Sequence, residues 1–76
     1  MNLTQLRGIA TKLEFKAMLH LTGLQRTDII NVIRMNEAEY FLIGYKKGGG
    51  TYGTRYLYFD DINEVIKNHA KALMRN

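Results

Sequence analysis

The sequence predicts a small α+β domain: helices through the N-terminal half, a two-stranded β-hairpin, and a C-terminal amphipathic helix. Three observations carry that expectation. Apolar residues recur at helical spacing from Leu3 to Leu21, and again without a miss from Ile62 to Met74. Two aromatic runs, at 40–46 and 55–59, flank a glycine-rich stretch, the pattern of a hairpin. The chain has 76 residues and no cysteine, so it affords one core and neither a disulfide framework nor a thiolate metal site.

Taken in order, Leu3, Leu6, Ile9, Ala10 and Leu13 predict a first helix over 3–12, with Asn2 or Thr4 as its cap. Phe15, Met18 and Leu19 predict a second helix over about 14–22, or a continuation of the first with a break near Lys12. Gly23 stands where a left-handed C-terminal residue stops a helix. Residues 24–35 admit two readings. Leu24, Ile29, Val32 and Ile33 share a helical face, and Asp28 suits a first turn. The β-branched residues at 29, 30, 32 and 33 make a strand the competitor. The helix is the reading taken, with Ile30 left exposed. The strands at 40–46 and 55–59 enclose a loop from Lys47 to Thr54. The last helix carries Ile62, Val65, Ile66, His69, Ala70, Leu73 and Met74 on one face, with Asp60 or Asp61 as its cap.

Eleven Lys and Arg against seven Asp and Glu give a net charge of +4. A basic balance favours a polyanionic partner. Its distribution sharpens the point, because residues 40–59 hold Lys46, Lys47 and Arg55 and no acid. No apolar run approaches the length of a membrane span, and the N-terminus lacks the pattern of a secretory signal, so a cytoplasmic location is expected.

Helix, turn, helix, basic hairpin and packing helix is the order of a winged helix-turn-helix domain. His20-Leu21-Thr22-Gly23-Leu24-Gln25-Arg26-Thr27-Asp28-Ile29-Ile30 resembles the turn and recognition helix of AlpA-type prophage regulators, which group with excisionases and MerR-like winged helices. Residues 55–66 resemble the strand and helix that close those domains. The resemblance implies double-stranded DNA as partner and a phage- or plasmid-type transcriptional regulator or excisionase-like accessory factor as function. Gln25, Arg26, Thr27, Asn31 and Arg34 would then face the major groove, where Arg pairs with guanine and Asn or Gln with adenine. Lys46, Lys47, Thr51, Tyr52, Thr54 and Arg55 would form a wing on the phosphate backbone.

Two other classes compete. A small protein-interaction module, such as a phage-encoded inhibitor of a host complex, would use Ile30 and the aromatic surface of the hairpin. An RNA-binding module would need 24–35 to be a strand, giving a three-stranded sheet. Tyr40, Tyr45, Tyr56 and Tyr58 are read first as packing against helices and each other, with base stacking as the alternative. A homodimer is a plausible further source of stability.

Enzymatic activity is not expected. Serine and cysteine are both absent, which removes the common nucleophiles. His20 and His69 have no close acidic or histidine neighbour in sequence, so no metal or other cofactor is implied, and His69 is read as a partly buried packing residue. The glycine loop is followed by Thr51-Tyr52 and a strand, whereas a phosphate-binding loop needs Lys and Ser or Thr opening a helix.

Overall fold

A computed structural model describes residues 3–74 of the chain, with the side chains of residues 3, 4, 7 and 74 outside that description. The elements are α1 (Leu3–Ile9), α2 (Lys12–Thr22), a short 3₁₀ turn (Arg26–Asp28), β1 (Ile29–Met35), β2 (Tyr40–Gly48), β3 (Thr51–Tyr58) and α3 (Phe59–Met74). The strands form one antiparallel meander in the order β1-β2-β3. This corrects the winged helix-turn-helix expectation. The sheet has three strands, and β1 occupies the stretch assigned to a recognition helix.

The break between α1 and α2 follows from a capping box. Thr11 is extended at φ −71° and ψ 164°, its hydroxyl accepts from the Glu14 amide, and the Glu14 carboxylate accepts from the Thr11 amide at 2.9 Å. The chain therefore restarts as a helix at Lys12. Asn2 as a cap lies outside the described residues, and Thr4 is already inside α1. At the other end of α2, Gly23 takes φ 70° and donates its amide to the Leu19 carbonyl, the stop that its position in the sequence predicts.

Beyond Gly23 a helix has too little to gain. Four β-branched residues in five lose side-chain freedom in a helix and fit a pleated surface instead. β1 pairs with β2 from Ile29 opposite Tyr45 to Met35 opposite Tyr40, with a bulge that takes Ile30 out of register. The sheet then buries one face only. Val32, Phe41, Ile43 and Leu57 point inward and meet Leu6, Ala10, Phe15, Ala17, Met18 and Ile62 from the helices. Phe41, Met18, Ile43 and Ile62 are fully buried.

The hairpin is tighter than the expected eight-residue loop. β2 runs on to Gly48 and β3 begins at Thr51, leaving Gly49 and Gly50 as the two turn residues. Both have positive φ, at 59° and 78°, as a two-residue turn matched to strand twist requires. Gly48, at φ 96°, absorbs the irregularity between Lys46 and the turn.

α3 begins at Phe59, whose amide donates to the Glu39 carbonyl across the β1–β2 turn. Asp60 and Asp61 thus sit inside the first turn, where they suit the helix dipole, and do not occupy the cap position ahead of it. Only the first half of the apolar stripe is used. Ile62 is buried and Val65 and Ile66 are half-buried, but every residue from 67 to 73 is exposed, His69 and Leu73 among them. The side chain of Met74, the last residue of the expected stripe, lies outside the described residues.

Candidate nucleic-acid interface

Alternation along the strands builds the second face of the sheet. With Val32, Phe41, Ile43 and Leu57 facing the helices, Asn31, Ile33 and Met35 of β1 must face away, as must Tyr40, Leu42, Gly44 and Lys46 of β2 and Tyr52, Thr54, Tyr56 and Tyr58 of β3. The register aligns them in rows across the strands. Met35, Tyr40 and Tyr58 form the first row, and Ile33, Leu42 and Tyr56 the second. Asn31, Gly44 and Thr54 form a polar row, and Lys46 with Tyr52 ends the face near the turn.

No helix among the described residues covers this face. Tyr52, Tyr56 and Tyr58 are 69%, 58% and 56% exposed, and Ile33 is 47% exposed. Strand tyrosines expected to pack in the interior therefore stand on the surface. Tyr40 is the partial exception. It meets Tyr56 edge-on with ring centroids at 5.4 Å, and Tyr58 likewise at 6.0 Å. Tyr45, on the helix side, lies across Gly53, where an added Cβ would come within 2.5 Å of its ring.

Charge follows the same division. Residues 29–35, 40–48 and 51–58 contain Arg34, Lys46, Lys47 and Arg55 and no Asp or Glu. All seven acids lie in helices or turns. The acid-free stretch recognised in the hairpin thus extends across the entire sheet.

The sequence-derived site residues are dispersed over the fold. Asn31, Lys46, Tyr52 and Thr54 come together on the open face. Thr51 caps the hairpin turn through a hydroxyl bond to the Gly48 carbonyl at 2.8 Å, with Lys47 close by in sequence. Arg55 pairs with Ile43 and so leaves β3 on the helix side of the sheet edge. Gln25, Arg26 and Thr27 lie in the 3₁₀ turn and its approach, and Arg26 stacks on the Phe15 ring at 5.9 Å. Arg34 is committed to the fold. Its guanidinium pairs with Glu14 at 3.3 Å, Nε donates to Asn36 at 2.7 Å, and the group lies 4.8 Å from the Phe59 ring and 5.1 Å from that of Phe41.

Sequence reasoning overlooked Ile33, Met35 and Leu42 as surface groups, and it gave the tyrosines to the core. Strand alternation beginning at Val32 would have found them, once 29–35 was read as a strand. Asn31 has a local reason for its position. A Cβ on Gly44 would lie 2.5 Å from the Asn31 Oδ1, so the glycine gives the amide room to lie over β2.

Among the described residues, no group of three or more His, Asp or Glu side chains converges to hold a metal ion. No helix among them is long and apolar enough to cross a membrane. No family model, curated protein or solved structure matches the chain.

Proposed function

We propose that the open face of the sheet binds single-stranded nucleic acid. The observation that carries this reading is an acid-free sheet with three tyrosines more than half exposed on one face. Unpaired bases stack on aromatic rings, and each stacked base contributes about 1–3 kcal/mol. Tyr52, Tyr56 and Tyr58 supply the platforms, Lys46 the phosphate contact, and Asn31 and Thr54 the polar groups able to meet a base edge. A duplex keeps its base faces closed, so a tyrosine platform favours the single strand. Winged-helix recognition of a duplex is not part of the proposal, because its recognition helix does not exist here.

The test is fluorescence anisotropy with labelled oligo-dT, oligo-rU and a duplex of equal length. Single strands should bind at low salt, with affinity falling as salt rises in proportion to the phosphates neutralised. Tyr56→Ala should weaken binding by about 5- to 100-fold. Absence of single-strand binding at low salt ends the proposal. So does duplex binding that is equally tight and indifferent to Tyr56.

One observation favours a second reading. Ile33, Met35 and Leu42 give the face an aliphatic block at the end remote from Lys46, and such a block suits a protein partner. On that reading the face binds no oligonucleotide.

A further inference from the structure

The exposed rings of the open face all stand on one strand. Tyr52, Tyr56 and Tyr58 belong to β3, which forms one edge of the sheet. Beside Tyr56 and Tyr58 the neighbouring strands present Ile33, Met35, Leu42 and the half-buried Tyr40. Outward residues of a strand recur at every second position, about 6.8 Å apart. Tyr58, Tyr56, Thr54 and Tyr52 are therefore four stations on a single line about 20 Å long. Stacked bases of a nucleic-acid strand lie about 3.4 Å apart, half the spacing of the stations. A strand that keeps its own base stack is out of step with this line. A strand that is drawn out and unstacked can lay one base at each station.

The stations are not equivalent. Tyr40 meets the rings of Tyr58 and Tyr56 edge-on, at 6.0 Å and 5.4 Å and at 89° to each, so the two stand as separate platforms. Thr54, the third station, has no ring. It lies opposite Gly44, which in turn lies opposite Asn31. A Cβ on Gly44 would come within 2.5 Å of the Asn31 Oδ1, so the amide reaches in over β2 toward Thr54. Glycine within a central strand weakens it and marks a close approach to the backbone. A base placed here has no ring to stack on. It meets an amide on one side and a hydroxyl on the other. The fourth station returns to a ring, Tyr52, with Lys46 opposite it.

We infer, resting on the single-strand reading of this face, that the sheet takes an extended tetranucleotide along β3. Three bases stack on Tyr58, Tyr56 and Tyr52. The base between the last two is held by its edge, by Asn31 and Thr54. Lys46 meets phosphate at the Tyr52 end. Every base has a face to stack, whereas identity resides in the edge, so base identity is read at the third station alone.

A dT tetramer is the probe, titrated into the isotopically labelled full chain and followed by NMR. In one series each nucleotide in turn is made abasic. In a second, each thymine in turn is replaced by difluorotoluene, which keeps the shape of the base and removes its hydrogen-bonding edge. Abasic nucleotides at both ends and at one internal position should each weaken binding at least about fivefold, the loss of a stacked base. Difluorotoluene should weaken binding about two- to tenfold at the other internal position, the loss of edge hydrogen bonds, and should not weaken it at the three stacked positions. Asn31→Ala and Thr54→Val should each shrink that internal loss and leave the abasic losses as they were. Both residues are exposed, so the variants keep the fold, which their spectra verify. Equal abasic losses at all four positions, an isostere effect at every position or at none, or binding that needs more than four nucleotides overturns the inference and leaves the tyrosine platform standing. If neither the tetramer nor longer oligo-dT binds at low salt, both fall together.

Discussion

Arg34 offers the sharpest separation between a binding residue and a structural one. Its guanidinium holds five segments at once: the Ile9 carbonyl at the end of α1, Glu14 at the start of α2, Asn36 in the β1–β2 turn, Phe41 of β2 and Phe59 at the start of α3. The side chain is 37% exposed, so the ion pair with Glu14 contributes only about 0.5 kcal/mol. The two ring contacts add about 0.5–1 kcal/mol each, and the bond to Asn36 adds a comparable amount. These contributions share one side chain and do not sum fully, which puts Arg34→Ala at about 2 kcal/mol of lost stability. For a domain of this size that corresponds to roughly a 10 °C fall in Tm. Arg34→Lys keeps the charge but loses the planar stack, and should fall between the two. Thermal unfolding followed by circular dichroism measures the shift, and oligonucleotide anisotropy at a temperature where the variant is folded measures binding. Arg34→Ala should lose stability and retain affinity within about twofold. A variant that melts like the parent, or one that stays folded and loses binding, would refute the structural assignment.

Other substitutions probe separate steps of the argument. Gly44→Ala should displace the Asn31 amide while changing stability by less than about 1 kcal/mol, because the strand gains from losing a glycine what the displaced amide costs. Preference among oligo-dA, oligo-dC and oligo-dT should narrow in that variant even where mean affinity is kept. Thr11→Ala removes the α2 cap and should cost about 1 kcal/mol, read from chemical denaturation. Gly50→Val forces a β-branched residue to positive φ and should cost about 1–2 kcal/mol, whereas Gly49→Asn at φ 59° should be tolerated. Denaturation midpoints of the two hairpin variants compare them directly.

Much of the fold is legible in the residues, and the failures share a cause. Gly23 is a helix stop in the sequence and in the structure. The first half of α3 follows its stripe to Ile66. The T-x-x-E signature at Thr11–Glu14 marks the α1–α2 break, so a first helix over 3–12 is too long. Residues 24–35 are the decisive case. Their apolar spacing fits a helix, but their β-branched content fits a strand, and the pairing available along β2 settles the competition. That one choice reassigns the whole candidate site. Arg34 moves to the covered side of the sheet, Asn31 to the open side, and the strand tyrosines from interior to surface. Periodicity within α3 could not reveal that its distal half has nothing among the described residues to pack against, because coverage depends on the length of the elements opposite it.

On the proposed function, an oligonucleotide contacts the tyrosine face of the sheet and leaves the 3₁₀ turn and the helices free. Titrating oligo-dT into the labelled chain and following backbone and tyrosine ring signals by NMR tests it most directly. The largest shifts should fall on Asn31, Leu42, Lys46, Thr54, Tyr56 and Tyr58, with Val32, Arg34 and Ile43 of the same strands little changed. Shifts centred on Gln25, Arg26 and Thr27, or spread evenly over the cations of α2 and α3, would contradict the account.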